Sequence, residues 1–267
     1  MEHIFLPTTV EFLPTDRPNV GKVLLTPCHQ GYGTTIGNAL RRVLLSSLPG
    51  AAVESIKIDG VQHEFSGLSG VREDVIEIIL NIKHLAVILH EPGPVTVTLT
   101  KKGKGMVTGA DIAKTSAITV VNPELEICTI TDAATNFSMD ITIGQGRGYV
   151  PAADKNTKQW DLGTIAVDSL YTPIRDVGYD VELTRVGDVT DYEKLVLTVM
   201  TNGTVTPKAA IEQSASILID HFALLNAVAG DIAETSEPMV LSEEATESES
   251  ESEEVPVKKE KKKKKTT

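Results

Sequence analysis

Three glycines, Gly31, Gly33 and Gly37, follow the apolar run VLLTP (23–27) and open the stretch GYGTTIGNALRR (31–42). Glycines spaced like this between a strand and a helix can turn backbone N–H groups toward a phosphate. Asp59 stands about 20 residues further on, where a dinucleotide loop would want an acid for the ribose. The surroundings argue otherwise. In VESIKIDG (53–60), Lys57 and Asp59 alternate with Ile56 and Ile58, so one face of that strand is wet. No further strand–helix–strand alternation follows, and no GxxxxGK[ST] run is present. The expectation is structural: Gly31 and Gly33 turn the chain from strand to helix, and Gly37 lets the helix approach a neighbour.

Other chemistry is equally sparse. Six histidines are scattered without an HExxH pair or a His/Cys cluster at ligand spacing. No Asp-x-Asp cluster could hold a pair of magnesium ions. Cys28 and Cys128 stand a hundred positions apart without CxxC, so reduced thiols are expected rather than a disulfide. Ser69 in GLSGV misses the GxSxG pattern and reads as a helix cap. GQGRGYVPA (144–152) could bind an anion through Arg147, but a strand-end turn or bulge fits the pattern better. No catalytic, cofactor-binding or metal-ligating residue is assigned, and no cofactor is expected.

The elements behind these residues are mostly short strands. VTVTL (95–99), AITVV (117–121), ELEICTIT (124–131), FSMDITIG (137–144), DVELTRV (180–186) and KLVLTVMTNG (194–203) alternate apolar with polar, which indicates half-solvated antiparallel sheet. Three helices interrupt them. The first, capped by Thr34 or Thr35, places Ile36, Ala39, Leu40, Val43 and Leu44 on one face. Its Leu45 and Leu48 project elsewhere, in line with Arg41 and Arg42, and Pro49-Gly50 ends it. The second, VREDVIEIILNIK (71–83), aligns Val71, Val75, Ile78, Ile79 and Ile82, with Glu73 and Asp74 in its first turn and Lys83 at its end. The third opens at Thr206-Pro207 and runs to about Asn226. Its Ile211, Ala215, Leu218, Phe222 and Leu225 step by 4, 3, 4, 3 in a two-heptad seam. The first and third helices carry more apolar surface than one sheet can cover, and a homodimer that packs them together would bury it.

Bulk composition narrows the function further. The 267 residues are 41% hydrophobic but only 4% aromatic, enough for a Val/Ile/Leu-rich core in one large domain or two small ones. A net charge of −12 disfavours a basic nucleic-acid-binding surface. The N-terminus lacks the pattern of a signal peptide, and no apolar run approaches the roughly 20 residues of a membrane span. From Asp231 onward periodicity fades: SEEATESESESEE (242–254) is acidic and KKEKKKKK (258–265) basic, so 231–267 is expected to be a disordered tail.

GYGTTIGNALRRVLLSSLPG (31–50), GVREDVIEIILNIKHLAV (70–87), GRGYVPA (146–152) and TNGTVTPKAAI (201–211) closely resemble, in the same order and similar spacing, the alpha-subunit family of bacterial DNA-directed RNA polymerase. The resemblance covers about residues 8–228. It implies an α+β protein with a discontinuous dimerisation domain, 1–49 plus 177–230, built of antiparallel sheet and long dimer helices. An inserted, mainly β domain would occupy 50–176. The implied function is that of a transcription subunit, itself without a catalytic site, in a nucleotidyltransferase. It would homodimerise and scaffold assembly of the beta and then the beta-prime subunit, with omega and sigma in the complete enzyme. DNA would be met through that assembly, in the cytoplasm and away from membranes. By matching position, Arg42, Leu45 and Glu77 would face beta. Lys83, Val167, Ile174 and Lys194 would face beta-prime. Ile36, Leu40, Val43, Leu44, Ile211, Ala215, Leu218, Phe222 and Leu225 would belong to the dimer helices.

The family usually continues into a helical C-terminal domain that binds promoter DNA. Nothing after Asp231 has the apolar periodicity for one, which puts upstream-promoter and activator contacts in doubt. The Lys-rich end could offer a weak, salt-sensitive DNA contact instead. The alternative function is a divergent alpha paralogue that dimerises without joining polymerase.

Overall fold

The computed structural model describes residue 4 and residues 6–234, with only the backbone of Pro14, Gln159 and 227–234. Of the tail expected over 231–267, the stretch from 235 onward, with its acidic and Lys-rich runs, lies outside the described residues. In chain order the first elements are β1 (Thr9–Pro14), β2 (Val20–Cys28), α1 (Tyr32–Ser46), β3 (Pro49–Ile58) and α2 (Val75–Ile82). Short strands follow: β4 (Val87–Leu89), β5 (Val95–Lys102), β6 (Gly105–Thr108), β7 (Ile118–Val120) and β8 (Glu126–Ile130). Then come β9 (Asn136–Arg147), β10 (Tyr149–Val150), β11 (Thr164–Ala166) and β12 (Ser169–Leu170). A long hairpin, β13 (Ile174–Val186) and β14 (Val189–Thr201), leads to α3 (Pro207–Glu234). Packing divides the chain between Ala223 and Leu224. The first unit holds every strand, and the second, as far as it is described, is the end of α3.

One four-stranded sheet has the order β1-β2-β14-β13, every pair antiparallel. It joins strands from the beginning of the chain to strands more than a hundred residues later. Along β14 the alternation is clean: Glu193, Leu195, Leu197, Val199 and Thr201 are buried, and the residues between them are half-buried. Leu197 and Val199 share a core with Val177, Ile174, Leu44 of α1, Leu48 just after it, and Ala210 of α3.

The second four-stranded sheet, β11-β3-β9-β5, is likewise antiparallel. Ile56, Leu99, Met139, Ile141 and Ile143 from it pack with Val75, Ile78 and Ile82 of α2 in a separate core. That core is extended by the pairs β4–β7 and β6–β8. Each such Ile or Leu side chain contributes about 1.5–3 kcal/mol on full burial, which holds these short strands together.

The helix starts depart from expectation. α1 begins at Tyr32, ahead of the expected Thr34 or Thr35 cap, because Gly31 takes a left-handed φ of 84° and turns the chain directly into the helix. α2 begins at Val75, after Asp74, whose side chain accepts from the Glu77 N–H at 2.9 Å. The residues before it are extended: Val71 bridges Ile130, and the Arg72 N–H donates to the Thr129 carbonyl. Ser69 therefore sits in a turn and does not cap the helix. In α3 the expected start holds, with the Thr206 hydroxyl accepting from the Ala209 N–H at 3.3 Å and Pro207 first in the helix. The helix runs beyond Asn226, and beyond the expected end of the folded part near Gly230, to Glu234.

Candidate functional site

The glycine loop does bind an anion, but one of its own. The N–H groups of Gly31 and Gly33 donate to the two carboxylate oxygens of Glu193, at 2.8 and 2.9 Å. Glu193 enters from β14 and is 9% exposed. Its charge lies at the N-terminus of α1, where the helix dipole favours it. A Cβ on Gly33 would stand 2.8 Å from a Glu193 oxygen, and one on Gly37 would stand 2.7 Å from the Tyr179 ring. The loop glycines thus let α1 settle against β13 and β14, and the place of a phosphate is filled. Burial, and then the Glu193 charge, push the neighbouring Cys28 thiol up. Both cysteines are free and buried. Among the described residues no group of three or more His, Cys, Asp or Glu could hold a metal ion.

Arg42 and Leu45 lie on α1, both exposed. Among the described residues the Arg42 guanidinium has neither an ion pair nor a hydrogen bond, leaving five donors for something outside this chain. Glu77 is exposed on α2, with Ile76 and Leu80 open to solvent beside it in sequence. Of the helix residues, Ile36, Leu40 and Val43 are half-buried, whereas Leu44 is fully buried in this chain's own core. Ile211, Ala215 and Leu218 are half-buried on α3. Beyond them Phe222 and Leu225 are 61% and 67% exposed, joined by Ile219 and Leu224 at 66% and 69%, which the heptad seam leaves out.

Lys83 follows α2 directly. Its Nζ lies 2.9 Å from Oδ2 of Asp168, whose Oδ1 accepts from the Ala152 N–H at 2.8 Å. The Ala152 N–H first, and Lys83 next, hold the Asp168 carboxyl below the usual range. Val167 and Ile174 are 1% and 2% exposed, so their side chains serve this chain's cores and only neighbouring positions can meet a partner. Lys194 pairs across the hairpin with Glu182 at 2.6 Å. Glu193 and Asp168 escape sequence reasoning because each looks like an ordinary acid in a strand or turn. The only signal for Glu193 is a charge where the alternation of β14 demands a buried side chain.

Comparison with known proteins adds two findings. Residues 56–172 match the family described as the RNA polymerase Rpb3/RpoA insert domain. The chain is similar to the DNA-directed RNA polymerase subunit alpha of Clostridium botulinum strain Hall, 49% identical over 224 residues, 84% of this chain and 70% of that one. It is also similar to the subunit of that name from Clostridium kluyveri, 49% identical over 226 residues, 85% of this chain and 71% of its relative.

Proposed function

The chain belongs to the DNA-directed RNA polymerase alpha-subunit family, and from that premise we propose that it is the homodimeric scaffold on which the polymerase's large subunits assemble. The observation that carries this reading is α3. The helix is anchored by buried Pro207, Ala210 and Ser214, then leaves Ile219, Phe222, Leu224 and Leu225 more than 60% exposed. Burying those four would contribute roughly 6–12 kcal/mol gross. Association itself costs about 4–15 kcal/mol, so α3 alone is marginal and the half-buried apolar residues of α1 must share the contact. A second copy of the chain supplies both helices.

The dimerisation domain would comprise 1–49 and 177–230, and the inserted domain 50–176. That division is supported by a first sheet whose strands come from both ends of the folded chain and a second sheet with its own core. Arg42 would recruit beta, with Leu45 and Glu77 nearby in role. Its always-charged, planar fork suits carboxylates or carbonyls in a dry contact. Lys83 and Lys194 would meet beta-prime. The chain would make no catalytic contribution of its own, in keeping with a glycine loop occupied by Glu193. Work with omega, sigma and DNA would follow from the assembled enzyme in the cytoplasm; no described helix is long and apolar enough to cross a membrane.

The test is capture of the tagged chain from its native lysate after nuclease treatment, with Arg42→Ala alongside. Two very large polypeptides should accompany the wild type and be depleted from the variant, while both run as dimers by light scattering. Recovery of the chain alone would withdraw the assembly role and leave a dimer without polymerase.

A further inference from the structure

The motif GQGRGYVPA supplies the end of β9 and the turn after it, where Gly148, at φ 65°, sends the chain into β10. Up to Ile143 every second residue of β9 is buried in the second sheet's core: Phe137, Met139, Ile141 and Ile143. Strand alternation puts Gln145 and Arg147 next on that same face, and both are exposed. The opposite face is closed. A Cβ on Gly144 would overlap the Glu54 carboxylate, and one on Gly146 would stand 2.8 Å from the Tyr171 ring. An amide and a guanidinium therefore stand where the period of β9 calls for two more apolar side chains.

They line a cavity of about 490 Å³ whose other walls are nearly all apolar. Pro49 and Ala51 of β3 lie directly across from Arg147 and Gln145, β4 supplies Val87–Leu89, and Val205 comes from the segment before α3. Val87 and Leu89 belong to the second sheet's core, and Val205 packs on the first's, so the cavity lies between the two. Among the described residues Arg147 is the single charged side chain in the lining, and neither it nor the Gln145 amide has an ion pair or hydrogen bond. A cavity of this size, apolar except for a few polar groups on one strand face, has the make-up of a small-molecule site.

The polar pair sets the charge of what fits. One guanidinium offers a carboxylate two parallel N–H donors, and the neighbouring amide adds another. A phosphate dianion would find no second cation in the lining. The aliphatic walls call for a hydrocarbon body. We propose that this cavity binds a small monocarboxylate with a hydrocarbon body, its carboxylate on Arg147 and Gln145 and its body against Val87, Ile88 and Val205. The site is independent of the assembly reading, since none of its residues is among those assigned to beta, beta-prime or the dimer.

Octanoate is the probe and octanol its uncharged counterpart, titrated calorimetrically into the full 267-residue chain. Wild type is compared with Arg147→Ala, Arg147→Lys and Ala51→Leu, and melting temperatures without ligand check each fold. Octanoate should saturate one site per chain in the millimolar range or tighter. Octanol should bind at least about tenfold more weakly, as should octanoate to Arg147→Ala. Arg147→Lys, which keeps the charge but not the fork, should fall between. Ala51→Leu grows into the cavity and should lose binding; the exposed Arg147 keeps the test open if that variant melts early. Equal affinity for octanoate and octanol, or for wild type and Arg147→Ala, would overturn the carboxylate contact. Undiminished binding to a folded Ala51→Leu would move octanoate elsewhere, such as the exposed end of α3, and sink the cavity as its site. Without saturable binding the proposal fails, and Arg147 is left to a macromolecular partner. It fails too if Arg147→Ala lowers the melting temperature, because the guanidinium would then serve the fold.

Discussion

At Gly31 and Gly33 the backbone N–H groups are committed to Glu193, so what resembles a phosphate loop is a built-in anion contact. Glu193→Ala leaves two donors at a helix N-terminus without their charged acceptor. Hydrogen bonds to a charged group contribute about 1.5–3 kcal/mol each, so for the two a loss of about 3–6 kcal/mol is expected in urea unfolding, with Glu193→Gln intermediate. Equal stability of all three forms would show that water serves α1 as well as the carboxylate does. Cys128 offers a second check. Burial, and then the Glu73 charge, push its thiol up to about 12, so it is the neutral thiol at neutral pH. Thiol reagents should label it only on unfolding; rapid labelling of the native chain would contradict its burial.

Among the elements, α2 and α3 differ in how far periodicity carries. In α2 the apolar spacing continues backward to Val71, but the chain before Val75 is claimed by β8. Glu73 accepts from the Thr129 N–H at 2.6 Å and from its hydroxyl at 3.0 Å, and Arg72 pairs with Glu73. The contact with β8 outweighs about one turn of helix propensity there. In α3 the same kind of spacing runs on past the anchoring residues, and nothing in the first unit covers Ile219 or Phe222. Phe222→Glu should raise the dimer dissociation constant roughly a hundredfold, since removing a central aromatic costs about 2–4 kcal/mol and a buried charge adds to it. Light scattering across a dilution series would show it. A variant that remains dimeric at wild-type concentrations would move the interface away from α3.

For the whole molecule, three carboxylates tie the second sheet's core to its neighbouring segments: Glu73, Asp111 and Asp168. Burial raises the first two, but the hydrogen bonds outweigh it, chiefly from Thr129 to Glu73 and from Lys101 and Thr108 to Asp111. Asp168 is lowered directly by Ala152 and Lys83. All three are depressed in the fold, so their contribution is fully present above the unfolded carboxylate range near pH 4. It is lost as pH falls through the folded values. The melting temperature should hold between pH 7 and 5 and drop below 4, with Asp168→Asn showing a smaller drop. A flat profile to pH 3 would mean these contacts add nothing. Much of this chain was legible in its residues: the alternating strands, the Thr206-Pro207 start of α3 and its surplus of apolar surface all follow from local pattern, because strand and helix periods are set by the backbone. The motifs likewise carry the resemblance to the alpha-subunit family. Only the tertiary structure decided that Leu44, Val167 and Ile174 face inward, that Glu193 fills the glycine loop, and that Asp168 holds Lys83. Those are contacts between residues 85 to 162 positions apart or between a side chain and a core, and no local spacing encodes which distant partner a side chain will meet.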